Sequence, residues 1–87
     1  MTYAVKWYDS VTGEEVVQTG DSIPEAIEKA RAWYGAGFTF GEGTVYGIIN
    51  KYNEFVPVAA LEEPGRYSKE DLDRILEWYY AFSRSGS

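Results

Sequence analysis

Two helix-start signals divide this chain and largely dictate its layout. Ser22 is followed three residues later by Glu25, and Ser68 is followed in the same way by Asp71. A serine hydroxyl can accept from the backbone N–H three positions on, while the acidic side chain favours the positive end of the new helix. Pro24 falls in the first turn of the first helix, where its missing N–H costs nothing. Behind each signal runs an amphipathic segment. In the first, Ile23, Ala26, Ile27, Ala30 and Tyr34 share one side; in the second, Leu72, Ile75, Leu76, Tyr79 and Phe82 do.

Each helix is preceded by a segment of strand character. Tyr3 to Tyr8 alternates, with Tyr3, Val5 and Trp7 on one side and Ala4, Lys6 and Tyr8 on the other. Asp9 to Gly13 supplies turn formers, and Glu14 to Thr19 returns with Val16 and Val17, which predicts a β-hairpin closed by Gly20-Asp21. From Thr44 a second strand runs through Val45, Tyr46, Ile48 and Ile49, turns at Lys51 to Glu54, and returns from Phe55 to Leu61. Pro57 lacks a ladder donor, so that return strand belongs at a sheet edge. The order is ββαββα. An α+β fold follows, with an antiparallel sheet of four or five strands and two helices on one face.

The helices also align on their Trp-Tyr pairs, which matches Trp33 with Trp78 and predicts that both indoles are buried. The same alignment suggests two ββα units, 1–35 and 43–82, within a single domain of residues 1–82. Residues 83–87, Ser-Arg-Ser-Gly-Ser, read as a flexible tail. With only 87 residues to build a core, the three tryptophans and eight tyrosines supply the area that disulfides or zinc provide in many small domains.

The chain contains no histidine and no cysteine. The side chain that titrates near neutrality and the nucleophile that needs least activation are therefore both missing. Ser10, Ser22 and Ser68 occupy turn and cap positions without a base partner. The expectation is a protein with no catalytic residues, no metal site and no cofactor. Asp9 to Glu15 lacks the alternating acids of a calcium loop. The glycine-rich segment 35–43 lacks the lysine of a phosphate-binding loop, and Glu42 repels phosphate.

Contact chemistry remains. The net charge is −6, which opposes direct binding to nucleic acid or to anionic membranes and favours basic protein surfaces. Glu70, Asp73 and Glu77 are spaced i, i+3, i+7 along one ridge of the second helix, about 5.4 Å per turn. That interval approaches the phosphate spacing of a nucleic-acid strand, roughly 6–7 Å. The row suits a lysine- and arginine-lined groove, with Tyr80 as a neighbouring aromatic anchor. A second candidate surface is the loop holding Phe38, Phe40, Glu42 and Tyr46, whose aromatics and glycine backbone suit a small ligand or a partner.

In type, the chain is similar to the small acidic single-domain proteins with which phages disable bacterial defence, the anti-CRISPR and anti-restriction inhibitors. Size, charge and the missing catalytic groups carry that likeness. It implies a cytoplasmic, non-catalytic inhibitor, monomeric or dimeric, seated on a nucleic-acid-binding effector. The alternatives are a sponge for a small molecule or nucleotide signal, and a structural oligomer subunit. No segment has the length of a membrane span, and Met1 to Lys6 lacks a basic region leading into an apolar secretory core.

Overall fold

The computed structural model describes residues 2–9, 11–34 and 43–85. Strand β1 (Thr2–Tyr8), strand β2 (Glu15–Gly20), helix α1 (Ile23–Tyr34), strand β3 (Val45–Ile49), strand β4 (Phe55–Pro57) and helix α2 (Lys69–Ser85) follow one another along the chain. The sheet is antiparallel and ordered β2-β1-β3-β4, so the first strand of each hairpin lies at its centre. The fold is α+β, in the ββαββα order that the sequence predicts.

The first hairpin closes through local chemistry. Asp9 Oδ1 accepts from the Val11 N–H at 2.8 Å, the Gly13 N–H donates to the Asp9 carbonyl at 2.7 Å, and Gly13 takes φ 73°. A positive φ is costly for any residue with a Cβ, so the turn needs glycine there. At the start of α1 the Glu25 N–H donates to Ser22 Oγ at 3.2 Å, and Glu25 reaches back to accept from the Asp21 N–H at 3.0 Å. That backbone bond, with Lys29 beside it at 3.3 Å, holds the Glu25 carboxyl below the usual carboxylate range.

Side-chain alternation sends Tyr3, Val5 and Trp7 toward the helices, where they join Ala26, Ala30, Ile48, Val56, Ile75 and Trp78 in one buried cluster. On the opposite face Ala4 pairs in register with Gly47. A Cβ added to Gly47 would lie 2.9 Å from Phe55 Cζ and 3.0 Å from Pro57 Cα. Glycine therefore lets Phe55 lie close against β3, and Lys6 Nζ rests 4.6 Å from the centroid of that ring.

Four sequence expectations need correction. β4 stops at Pro57, where residues 58–62 tighten into a 3₁₀ segment instead of extending the strand to Leu61. α2 continues to Ser85, so Ser83 to Ser85 belong to the helix. Trp33 is 57% exposed, whereas Trp78 is fully buried. α1 meets the sheet through Ala26 and Ala30, both fully buried, and Trp33 lies one turn farther on, in the last turn of the helix. Finally, the apolar stripe of α2 is rotated by roughly 70° from the expected one, taking about 100° per residue. Asp71, Ile75 and Trp78 point inward, and Tyr79 is 55% exposed.

The rotation has an identifiable cause. Asp71 tolerates burial because Asn50 Nδ2 donates to its Oδ2 at 3.1 Å, and the Trp78 indole N–H donates to the Gly47 carbonyl at 2.8 Å. Buried polar atoms need such partners. The aromatic environment of Trp78 is dense: Tyr46 lies at 5.0 Å, Phe82 at 5.4 Å and Tyr3 at 6.1 Å between ring centroids. The extended segment expected at Phe38 to Phe40 lies outside the described residues, as does the side chain of Tyr34.

Candidate functional site

α2 begins at a formed cap, with the Asp71 N–H donating to Ser68 Oγ at 3.2 Å. Glu70 and Asp71 occupy its first turn, where negative charge complements the helix dipole. From that anchored end the helix carries Glu70, Asp73 and Glu77 outward, and all three are exposed. Packing of Ile75 and Trp78 beneath fixes the direction in which the ridge points. Glu70 and Asp73 form no ion pair among the described residues.

Glu77 differs from its two neighbours. The Tyr3 hydroxyl donates to its Oε2, and Arg74 Nη1 lies 3.6 Å from its Oε1. Both of its oxygens are therefore engaged within the molecule, and Arg74 places a positive charge inside the acidic row. The part of the ridge left for an external cation is the pair Glu70 and Asp73.

Tyr80 is 55% exposed. The structure adds a residue that the sequence assigned to the core: Tyr79 meets Tyr80 edge to face, with centroids 5.8 Å apart. Two half-exposed rings on a surface helix offer a large apolar contact with polar hydroxyl tips. Tyr79 was recognisable only through the rotation of α2, because its spacing from Leu72 and Ile75 fits an apolar stripe.

At the N-terminal end of the ridge lies an open cleft of about 340 Å³ lined by Thr2, Ile49, Asn50, Lys51, Glu70 and Arg74. Lys51 lines it from the β3–β4 turn and Glu70 and Arg74 from one face of α2, so it presents both signs of charge. Its volume falls at the low end of the range of pockets that enclose drug-sized ligands, roughly 300–1,000 Å³, but it is open to solvent.

The second candidate surface divides. Phe38, Phe40 and Glu42 lie outside the described residues. Tyr46 belongs to β3 and packs 4.7 Å from Phe82 and 5.0 Å from Trp78, so it serves the core rather than an exposed ligand loop. Burial pushes its phenol up to about 12. The acidic turn residues Glu14, Glu15, Glu62 and Glu63 are exposed, and two are paired: Glu15 with Lys6 at 3.6 Å and Glu63 with Arg66 at 3.2 Å.

Among the described residues, no group of three or more acidic side chains is placed to hold a metal ion. No helix among them is long and apolar enough to cross a membrane. Comparison of the chain with protein-family models, with curated proteins and with solved structures returns no match.

Proposed function

We propose that this is a non-catalytic binding protein that docks the exposed face of α2 on a basic groove of another protein. Glu70 and Asp73 meet lysine or arginine there, while Tyr79 and Tyr80 supply the apolar contact. The observation that supports it most directly is the pair of exposed carboxylates, without an ion pair among the described residues, on a capped helix whose opposite side is pinned by Trp78 and Asp71. A rigid helix presents its charges without an ordering cost at binding, which favours affinity and orientation. A net charge of −6 adds long-range steering toward a positive partner.

Within this reading the partner is a nucleic-acid-binding effector, and the protein is an inhibitor of the anti-CRISPR or anti-restriction type. The acidic row occupies the groove that nucleic acid would enter. The protein acts in the cytoplasm and stoichiometrically, without a cofactor. Glu77 contributes less than its spacing suggests, since Tyr3 and Arg74 already hold it.

The test uses the immobilised protein and a host lysate. Proteins retained by the wild type should be lost from a Glu70→Gln/Asp73→Asn variant that keeps its thermal midpoint, and double-stranded DNA should displace them. Retention that ignores both the substitutions and the DNA overturns the assignment.

A further inference from the structure

The two edges of the sheet are finished differently. β4 has three residues, ends on Pro57 and turns away into a 3₁₀ segment. β2 has six residues, contains no proline, and pairs one to one with β1 from Tyr3↔Gly20 to Tyr8↔Glu15, without a bulge. Exposed edges normally carry such blocking features, because unpaired N–H and C=O groups recruit further strands. Among the described residues, one edge is blocked and the other is left open.

The pairing pattern identifies which groups face outward. The Asp9 N–H donates to the Glu14 carbonyl at 2.9 Å, so 9 and 14 form a hydrogen-bonded pair. Antiparallel ladders alternate bonded and non-bonded pairs, which makes 7–16, 5–18 and 3–20 the bonded ones. The N–H and C=O of Glu15, Val17 and Thr19 therefore point away from β1. The same alternation, started from the Asn50 N–H donating to the Glu54 carbonyl, sets Pro57 at an outward position of β4, where its missing N–H closes that edge. Val17 is 38% exposed, and Tyr8, on the same helix-free face, is 67% exposed.

We infer that the open edge receives β2 of a second copy of this chain, antiparallel about a two-fold axis at Val17, so that two four-stranded sheets become one. The sequence of β2 is complementary to itself in that register. Val17 meets Val17 of the second copy, Glu15 meets Thr19, and Val16 meets Gln18. Every side chain stays on its own face, and no like charges are opposed. Sliding the axis to Glu15 would set two carboxylates against each other. The assembly also closes, because the edges left free are the two ends at Pro57, so growth stops at a dimer.

Net charge does not prevent this. Each copy is −6, but Glu15, the acidic residue of β2, is paired with Lys6 of its own chain at 3.6 Å, and exposed charges farther apart than about 8 Å are largely screened at physiological salt. The interface is independent of the α2 face, and the two respond to salt in opposite directions. Docking of α2 on a basic groove weakens as salt rises, whereas pairing of two acidic chains strengthens.

Sedimentation velocity from the low micromolar to the millimolar range should show the mass rising from 9.8 kDa toward twice that value, more readily at higher salt. Val17→Pro removes one outward N–H per copy and leaves the ladder to β1 intact, and it should weaken the dimer by roughly tenfold or more. Val17→Lys, which opposes two positive charges on the axis, should shift the equilibrium the same way and covers the case in which the proline variant fails to fold. In the wild type, exchange of the Val17 and Thr19 amides should slow as concentration rises. A chain that stays monomeric throughout, or a dimer indifferent to both substitutions, overturns the inference.

Discussion

Asn50 and Asp71, both more than nine-tenths buried, join Nδ2 to Oδ2 across 3.1 Å and tie the β3–β4 turn to the first turn of α2. Asn50 Oδ1 also accepts from the N–H groups of Tyr52 and Glu54, each at 3.0 Å, so one amide organises the turn and orients the helix. Asp71→Ala leaves the Asn50 amide buried without its acceptor, and the expected loss is about 1–3 kcal/mol in urea unfolding. A loss below about 0.5 kcal/mol would mean that water or a neighbouring group replaces the carboxylate at no cost, which the burial of both residues opposes.

The tryptophans should separate sharply. Trp78→Ala removes a fully buried indole and its bond to the Gly47 carbonyl, and should cost about 3–5 kcal/mol. Trp33→Ala changes a side chain that is 57% exposed and should cost less than about 1 kcal/mol. Equal shifts in thermal midpoint for the two variants would contradict the packing described for α1.

Gly47→Ala tests the close approach of β3 to β4. The added methyl group meets Phe55 Cζ at 2.9 Å and Pro57 Cα at 3.0 Å, and it also crowds the Val56 carbonyl. Most of these neighbours are backbone, which cannot rotate away. Destabilisation of about 1–3 kcal/mol is expected, and shortening Phe55 to leucine should recover only part of it.

Alkaline stability should report on Tyr46. Its phenol is raised from 10.0 to about 12 by burial, so the folded chain holds that proton more tightly than the unfolded one. The contribution is complete below pH 10, declines as the unfolded chain ionises, and is gone above the folded value of about 12. Tyr46→Phe should remove this component of the pH dependence. Thermal midpoints of both proteins, compared at intervals across that window, would show parallel curves if Tyr46 were solvated.

Features set by neighbouring residues were legible in the sequence. The Asp9–Gly13 turn, the Ser22 and Ser68 caps and the alternation of β1 depend on chemistry within a few positions, and each forms as expected. What escaped depends on distant partners. The rotation of α2 follows from Asn50 and Gly47, which lie 21 and 31 residues from Asp71 and Trp78. Spacing alone therefore placed Tyr79 in the core and treated Trp33 as the equal of Trp78. In the candidate site, the spacing of Glu70, Asp73 and Glu77 correctly gave an exposed row. It carried no sign that Tyr3, 74 residues away, would claim Glu77.

That separation also bears on how the chain is made. Tyr3 occupies the central strand, yet its partners Glu77 and Trp78 are translated long after it. A ribosome adding roughly 5–20 residues per second leaves the first hairpin and α1 outside the exit tunnel for seconds before α2 can cover them. During that interval the Tyr3 ring and the β3-facing side of β1 have no final partner. The central contacts of this fold therefore wait until nearly the whole of it has been made, and those of greatest sequence separation join its first strand to its second helix.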